Sequence, residues 1–270
     1  MWVIWSVEPD LYQQYPKERL PQINDAEIVF IGSSLTAQCA GGIDSVSGVF
    51  GDRRTSVTLA VPGISERITT RLMAHAVDSG AETVMVEINA YAHDYIEYSL
   101  NYPGLGEPLF TARLARYFRD LGERLTLNLK SLLFDPRRSP LAVHRNPMDL
   151  GNSTFDFTAV DSADYYRLLP VEPIYPDELG RVLERARSLN TQVFFFLPPR
   201  PLSVVELIGD AEYARIIEHI STLARKFGVP VWYSPSGWPD DNFLDIHAHV
   251  NGRGRARFLH ELANWYGGRR

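Results

Sequence analysis

Cysteine is almost absent from this chain: of 270 residues only Cys39 carries a thiol. A lone cysteine closes no intramolecular disulfide and builds no Cys-based zinc site, and it leaves the redox compartment open. No run of ~18 consecutive apolar residues occurs, the length that a membrane-spanning helix needs. Basic residues are not in excess either. The 27 Lys and Arg stand against 33 Asp and Glu, for a net charge of −6, which argues against a nucleic-acid partner held through its phosphates. The short clusters Arg253-Gly254-Arg255-Ala256-Arg257 and Arg269-Arg270 read as solvated helix faces. There is no internal repeat and no low-complexity tract. The apolar start Met1-Trp2-Val3-Ile4-Trp5-Ser6 is shorter than the ~7–15-residue core of a signal peptide. It reads either as a first packed segment or as the stub of a longer membrane anchor.

What is present is an ordinary core-forming composition, 45% hydrophobic and 22% charged, enough for one large domain or two small ones. Residues 1–26 are Pro-punctuated and form a lead-in arm; the rest reads as one α/β domain over 27–270. Ile28-Val29-Phe30-Ile31 is a buried strand that stops at Gly32, followed by Ser33-Ser34 and a helix start at Leu35-Thr36. Ser56–Val61 and Thr83–Asn89 are the next strands. Between them Ile64, Ile68, Leu72 and Ala76 recur every four residues on one helix face. Residues 95–175 break the alternation. They carry Pro-rich stretches around a helix predicted over about 110–133, and read as an insertion or cap. Alternation then resumes. A helix from Pro176 turns Leu179, Val182, Leu183, Ala186 and Leu189 to the core, a buried strand spans 192–197, and a helix over 211–227 stops at Gly228. A short strand covers 229–233, and a final helix over 253–266 presents Ala256, Leu259, Leu262, Ala263 and Tyr266. This order predicts a three-layer, flavodoxin-like α/β fold with a five-stranded parallel sheet and the insertion between strands 3 and 4. Ligands are then expected outside the carboxyl ends of the strands.

Those strand ends carry hydroxyl, amide and imidazole groups. The first offers Gly32, Ser33 and Ser34, the second Pro62-Gly63, the third Asn89, and the fourth Pro198-Pro199-Arg200. The stretch from Asp240 to Asn251, with Asp245, His247 and His249, precedes the last helix. A hydroxyl, a histidine base and an orienting carboxylate are the parts of nucleophilic acyl transfer, and an Asn amide with a Gly N–H supplies oxyanion donors. Each residue also has a plain structural use: Asn89 can end a strand, Asp245 can cap a turn, and Gly63 can serve only the chain reversal. A guanidinium at Arg200 suits a substrate carboxylate or phosphate. Asp240, Asp241, Asp245, His247 and His249 are metal-ligand types, but they show no helical His-x-x-x-His pair or known ligand spacing. No metal and no cofactor is expected.

Together these blocks resemble the SGNH/GDSL hydrolase family over roughly residues 27–93 and 190–266. The resemblance rests on Gly32-Ser33-Ser34-Leu35, Gly63, Asn89 and His249-Val250-Asn251-Gly252-Arg253-Gly254. It implies Ser34 as nucleophile, His249 as base, Asp245 as its orienting acid, and an oxyanion hole from the Ser34 N–H, the Gly63 N–H and the Asn89 amide. Two departures stand out. Asp245 lies four residues before His249 and two before His247, and an Asp-x-His spacing resembles the alginate acetyltransferase branch, with His247 as the alternate base. Glu87 stands where the family has Gly, so it either alters the oxyanion loop or points away into the sheet. The implied activity is that of an O-acyl, chiefly O-acetyl, esterase or acetyltransferase acting on a carbohydrate or related ester. The implied setting is extracytoplasmic, as in membrane-anchored, polysaccharide-modifying members. The rival is a catalytically inactive SGNH-like binding or assembly protein.

Overall fold

Ile28–Ile31 are completely buried in the computed structural model, and their side chains divide between two cores. The structure describes residues 26–41, 50, 55–60, 64, 66–97, 142–144, 151–157 and 166–269. Strand β1 (Ile28–Gly32) alternates as a strand must. Val29 and Ile31 face a core shared with helices α2 (Glu66–Asp78), α4 (Pro176–Ser188) and α6 (Asp210–Phe227). Ile28 and Phe30 face the opposite core, with α1 (Ser34–Ala40) and α7 (Gly252–Gly267). Two apolar faces on one strand require helices on both sides of the sheet, and so three layers.

Around β1 lie β2 (Ser56–Ala60), β3 (Thr83–Glu87), β7 (Gln192–Phe196) and β8 (Val231–Trp232). The five run parallel in the order β2-β1-β3-β7-β8, which is compatible with a flavodoxin-like fold. A three-residue strand, β5 (Ala142–His144), adds antiparallel to β2 at the edge and was not anticipated. After β3 the chain makes the single turn α3 (Asn89–Ala92), then β4 (His93–Glu97), which pairs antiparallel with β6 (Tyr166–Pro170) as a separate ribbon. The helix expected over 110–133 lies outside the described residues, as does the lead-in arm over 1–25.

The helix reading needs several corrections. Leu189 follows the end of α4 and is 44% exposed rather than core. In α7 Ala256 is exposed, while Phe258 and Arg255 take the inner face beside Leu259, Leu262 and Tyr266. Arg255 therefore does not belong to a solvated face. Its Nε donates to the Gln38 carbonyl at 2.7 Å, satisfying the free end of α1. Helix α5 (Leu202–Ile208), just after the Pro198–Pro201 stretch, was not anticipated. Among the described residues no helix is long and apolar enough to cross a membrane.

Candidate active site

In this sheet order the chain changes direction between β1 and β3, the kind of switch point at whose carboxyl ends open α/β sheets bind their ligands. Ser34 follows β1 and Asn89 follows β3. The entry to α1 is sharp. Ser33 sits extended (φ −84°, ψ −167°) and caps the helix, its Oγ accepting the Leu35 N–H at 3.1 Å. Gly32 is obligatory at this turn, because a Cβ there would overlap Thr36 Oγ1 and lie 2.6 Å from Glu87 Oε2. Ser34 is thus the first helical residue, and its N–H stands in a first turn that has no intrahelical acceptor.

From the far end of the chain, a loop brings His249 to this serine. Ser34 Oγ lies 3.0 Å from His249 Nε2, and His249 Nδ1 lies 2.6 Å from Asp245 Oδ2. An ionised carboxylate only accepts, so Nδ1 carries the ring proton and Nε2 is left as the acceptor for the serine O–H. Asp245 also organises the loop main chain, its Oδ1 accepting the N–H groups of His247 at 2.9 Å and His249 at 3.2 Å. The loop is closed below by a bridge between Phe243 and Val250 and by the Leu244 N–H on the His249 carbonyl at 2.7 Å. Wrapping so tightly forces Ala248, 1% exposed, to φ 73°. That left-handed conformation costs an alanine roughly 1–2 kcal/mol. It also separates the two imidazoles: His247 is exposed, while His249 is half-buried against Ser34.

Asn251 anchors the loop's exit. Fully buried, it caps α7 by accepting the N–H groups of Arg253 at 3.0 Å and Gly254 at 3.1 Å. Its amide donates to the carbonyls of Asp241 at 2.7 Å and Ser153 at 3.0 Å. Gly254 has no room for a side chain, since a Cβ would press on the Asn242 carbonyl and lie 2.9 Å from Val250 Cβ. The Ser153 contact, with the Gly252 N–H on the Gly151 carbonyl at 2.7 Å, ties part of the 95–175 block to the histidine loop.

Burial works to raise the Asp245 pKa, but the hydrogen bond and charge of His249, its backbone N–H and the charge of His247 carry it below the ordinary carboxylate value. A depressed folded-state pKa adds stability that is fully present above the unfolded value of ~3.9 and is lost as pH falls through the lower folded value. Asp245→Asn should therefore narrow the drop in urea midpoint between neutral pH and about pH 3. An undiminished drop in the variant would rule this contribution out.

The other expected site residues are placed as follows. Asn89 opens α3 with its side chain buried, and its Nδ2 donates to Glu87 Oε1 at 2.8 Å. Gly63 lies outside the described residues. Arg200 stands past the end of β7 on the same sheet edge, 4% exposed, its carbonyl accepting the Trp238 N–H at 2.8 Å. Asp240 bonds Ser203 through both carboxylate oxygens, and Asp241 bonds Asn242 and Arg253. Among the described residues no group of three His, Cys, Asp or Glu could hold a metal ion. The Cys39 thiol is a poor nucleophile, because burial, and then the charge of Glu87, push its pKa well up. A cavity of about 540 Å³ lined by Arg187, Gln192, Phe194 and Arg269 lies at the amino end of β7, the wrong end of the sheet for Ser34.

Sequence reasoning missed what Glu87 does. Its carboxylate does not point away into the sheet but turns under the serine turn, to Ser33 and Thr36. The available signal was an acidic residue ending the otherwise apolar run Val84-Met85-Val86. Compared with protein-family models, with curated proteins and with solved structures, the chain matches none.

Proposed function

We propose that this chain is a serine-dependent O-acyl, chiefly O-acetyl, esterase or acetyltransferase of SGNH type, acting on a carbohydrate or related ester through an acyl-enzyme. One observation carries the reading: the hydrogen-bonded series Ser34 Oγ, His249 Nε2, His249 Nδ1, Asp245 Oδ2, closed between groups 215 residues apart in the chain. In this reading residues 95–175 are an insertion into the SGNH domain.

Ser34 Oγ attacks the ester carbonyl while its proton passes to His249 Nε2. Asp245 stabilises the imidazolium through Nδ1. The carbonyl oxygen becomes an oxyanion held by the Ser34 N–H, the Asn89 amide and, as the resemblance implies, the Gly63 N–H. Collapse breaks the ester C–O bond, and the Nε2 proton goes to the departing alkoxide. A second hydroxyl attacks the acyl group on Ser34 and gives its proton to Nε2; collapse breaks the Ser34 Oγ–C bond, and Nε2 returns the proton to Ser34 Oγ. Water makes this hydrolysis and a sugar hydroxyl makes it transfer.

The direct test is a fluorophosphonate probe, followed by nitrophenyl acetate and a panel of acetylated sugars. Stoichiometric labelling at Ser34 is expected. Folded protein whose Ser34 stays unlabelled would instead support a binding protein without catalysis. Asn89→Ala should lower kcat by ~10²–10³ with little change in KM, because an oxyanion donor acts in the transition state. A raised KM with an intact kcat would make Asn89 a substrate-binding group instead.

A further inference from the structure

Glu87 is 1% exposed at the end of β3. Among the described residues its oxygens accept four donors: the Ser33 N–H at 2.8 Å, the Thr36 hydroxyl at 2.6 Å, the Asn89 amide at 2.8 Å, and the Ser33 hydroxyl at 2.8 and 3.0 Å. Every donor belongs to the turn that carries Ser34 or to Asn89. A buried carboxylate is costly to desolvate, and Gly32 gives up any side chain to leave it space. One acceptor-only group thus spans the two segments whose N–H groups must meet on the same oxygen.

We infer that Glu87 is a positioning residue for the oxyanion hole. By holding one N–H of the Asn89 amide and the main chain of Ser33 on a single carboxylate, it sets the Asn89 amide relative to the Ser34 N–H. The inference rests on the acyl-transfer reading of Ser34. Its consequence is that Asn89 alone does not make the hole; the donor has to be aimed by a charge that never touches substrate.

Glu87→Gln tests this, because an NH₂ group replaces one acceptor in a pocket lined by donors. A misaimed donor costs on the order of 10–100-fold in kcat, with KM held to within about twofold. Ser34 labelling by fluorophosphonate should slow in parallel. The pH profile should keep its shape, since Glu87 makes no contact with His249. In the Asn89→Ala background the same change should cost less than about threefold more, because the donor it aims is gone. Should Glu87→Gln fail to fold, Thr36→Val removes one of the four donors isosterically, and kcat should fall by about threefold or more at constant KM.

Wild-type kcat and labelling rate in a folded Glu87→Gln variant, or in Thr36→Val if that is the one measured, would overturn the inference and leave acyl transfer standing. Losses that multiply in the double variant would overturn it as well. Wild-type protein that neither labels nor turns over any ester would remove both readings together.

Discussion

Ser34→Ala is expected to lower ester turnover by at least ~10³-fold, because the nucleophile and its base act as a unit and losing either removes most of the chemistry. The fold should survive. Ser34 is half-buried, and among the described residues its side chain makes one hydrogen bond, to His249, so the change removes an interaction of net worth about 0.5–1.5 kcal/mol. Ser33→Ala is the instructive contrast. It deletes the cap of α1 and the hydroxyl shared with Glu87, so it should cost more stability, about 0.5–2 kcal/mol for the cap alone. It nevertheless keeps the Ser34 hydroxyl and the His249 imidazole on it. Thermal melts and kcat on nitrophenyl acetate should therefore rank the two variants in opposite orders. More than about a tenth of wild-type kcat in Ser34→Ala would sink the assignment, since the oxyanion hole by itself leaves far less than that.

The opposite rankings follow from how adjacent residues divide the work at the end of β1, and this division was only half legible in the sequence. Periodicity exposes what repeats. Four apolar residues before a glycine locate β1, and the four-residue spacing of Ile64, Ile68, Leu72 and Ala76 locates the core face of α2, where Leu72 and Ala76 are fully buried. The order of hydroxyl, amide and imidazole along the chain was enough to place Ser34, Asn89 and His249 at one sheet edge, since parallel strands bring their carboxyl ends together whatever lies between them. Where the inner face is not apolar, the pattern misleads. Arg255 is buried because it serves the Gln38 carbonyl, while Ala256 beside it is exposed. Short elements such as β5 and α5 carry too few residues to show a period.

Two features of the site had no local signature. The role of Glu87 depends on Ser33 and Thr36, which lie 54 and 51 residues away, and β3 read alone says only that an acid ends it. The left-handed Ala248 is chosen by nothing in its own side chain. It is imposed by Asp245, whose single oxygen gathers two backbone N–H groups, and by the Phe243–Val250 bridge that closes the loop beneath. Sequence spacing alone therefore left two histidines in competition, and it gives no hint that His249 is the one whose Nε2 stands 3.0 Å from Ser34 Oγ.

Replacing each histidine is the sharpest use of that geometry. His249→Ala should remove activity across the whole pH range, by ~10²–10⁴-fold for the lost general base alone, because among the described residues His249 Nε2 is the nitrogen on Ser34 Oγ. His247→Ala should keep most of it, with at most a shifted acidic limb, since His247 is exposed and one of the charges acting on Asp245 is then removed. The comparison is clean because the two bonds to Asp245 Oδ1 and the Leu244–His249 bond that close the loop use main-chain groups of the two histidines, and among the described bonds of the loop only the one to Asp245 Oδ2 uses a histidine side chain. Alanine retains the main-chain groups, so neither variant need unwind the loop. For His247 to serve as base, Ala248 would have to leave its left-handed conformation and Asp245 would have to give up the 2.6 Å bond to His249 Nδ1. Measured as kcat/KM against pH for both variants, an inactive His247→Ala beside an active His249→Ala would reverse the assignment and install the Asp245-x-His247 pair. An inactive His249→Ala beside an active His247→Ala is the expected result, and it would assign the base to the imidazole that stands between Ser34 Oγ and Asp245 Oδ2.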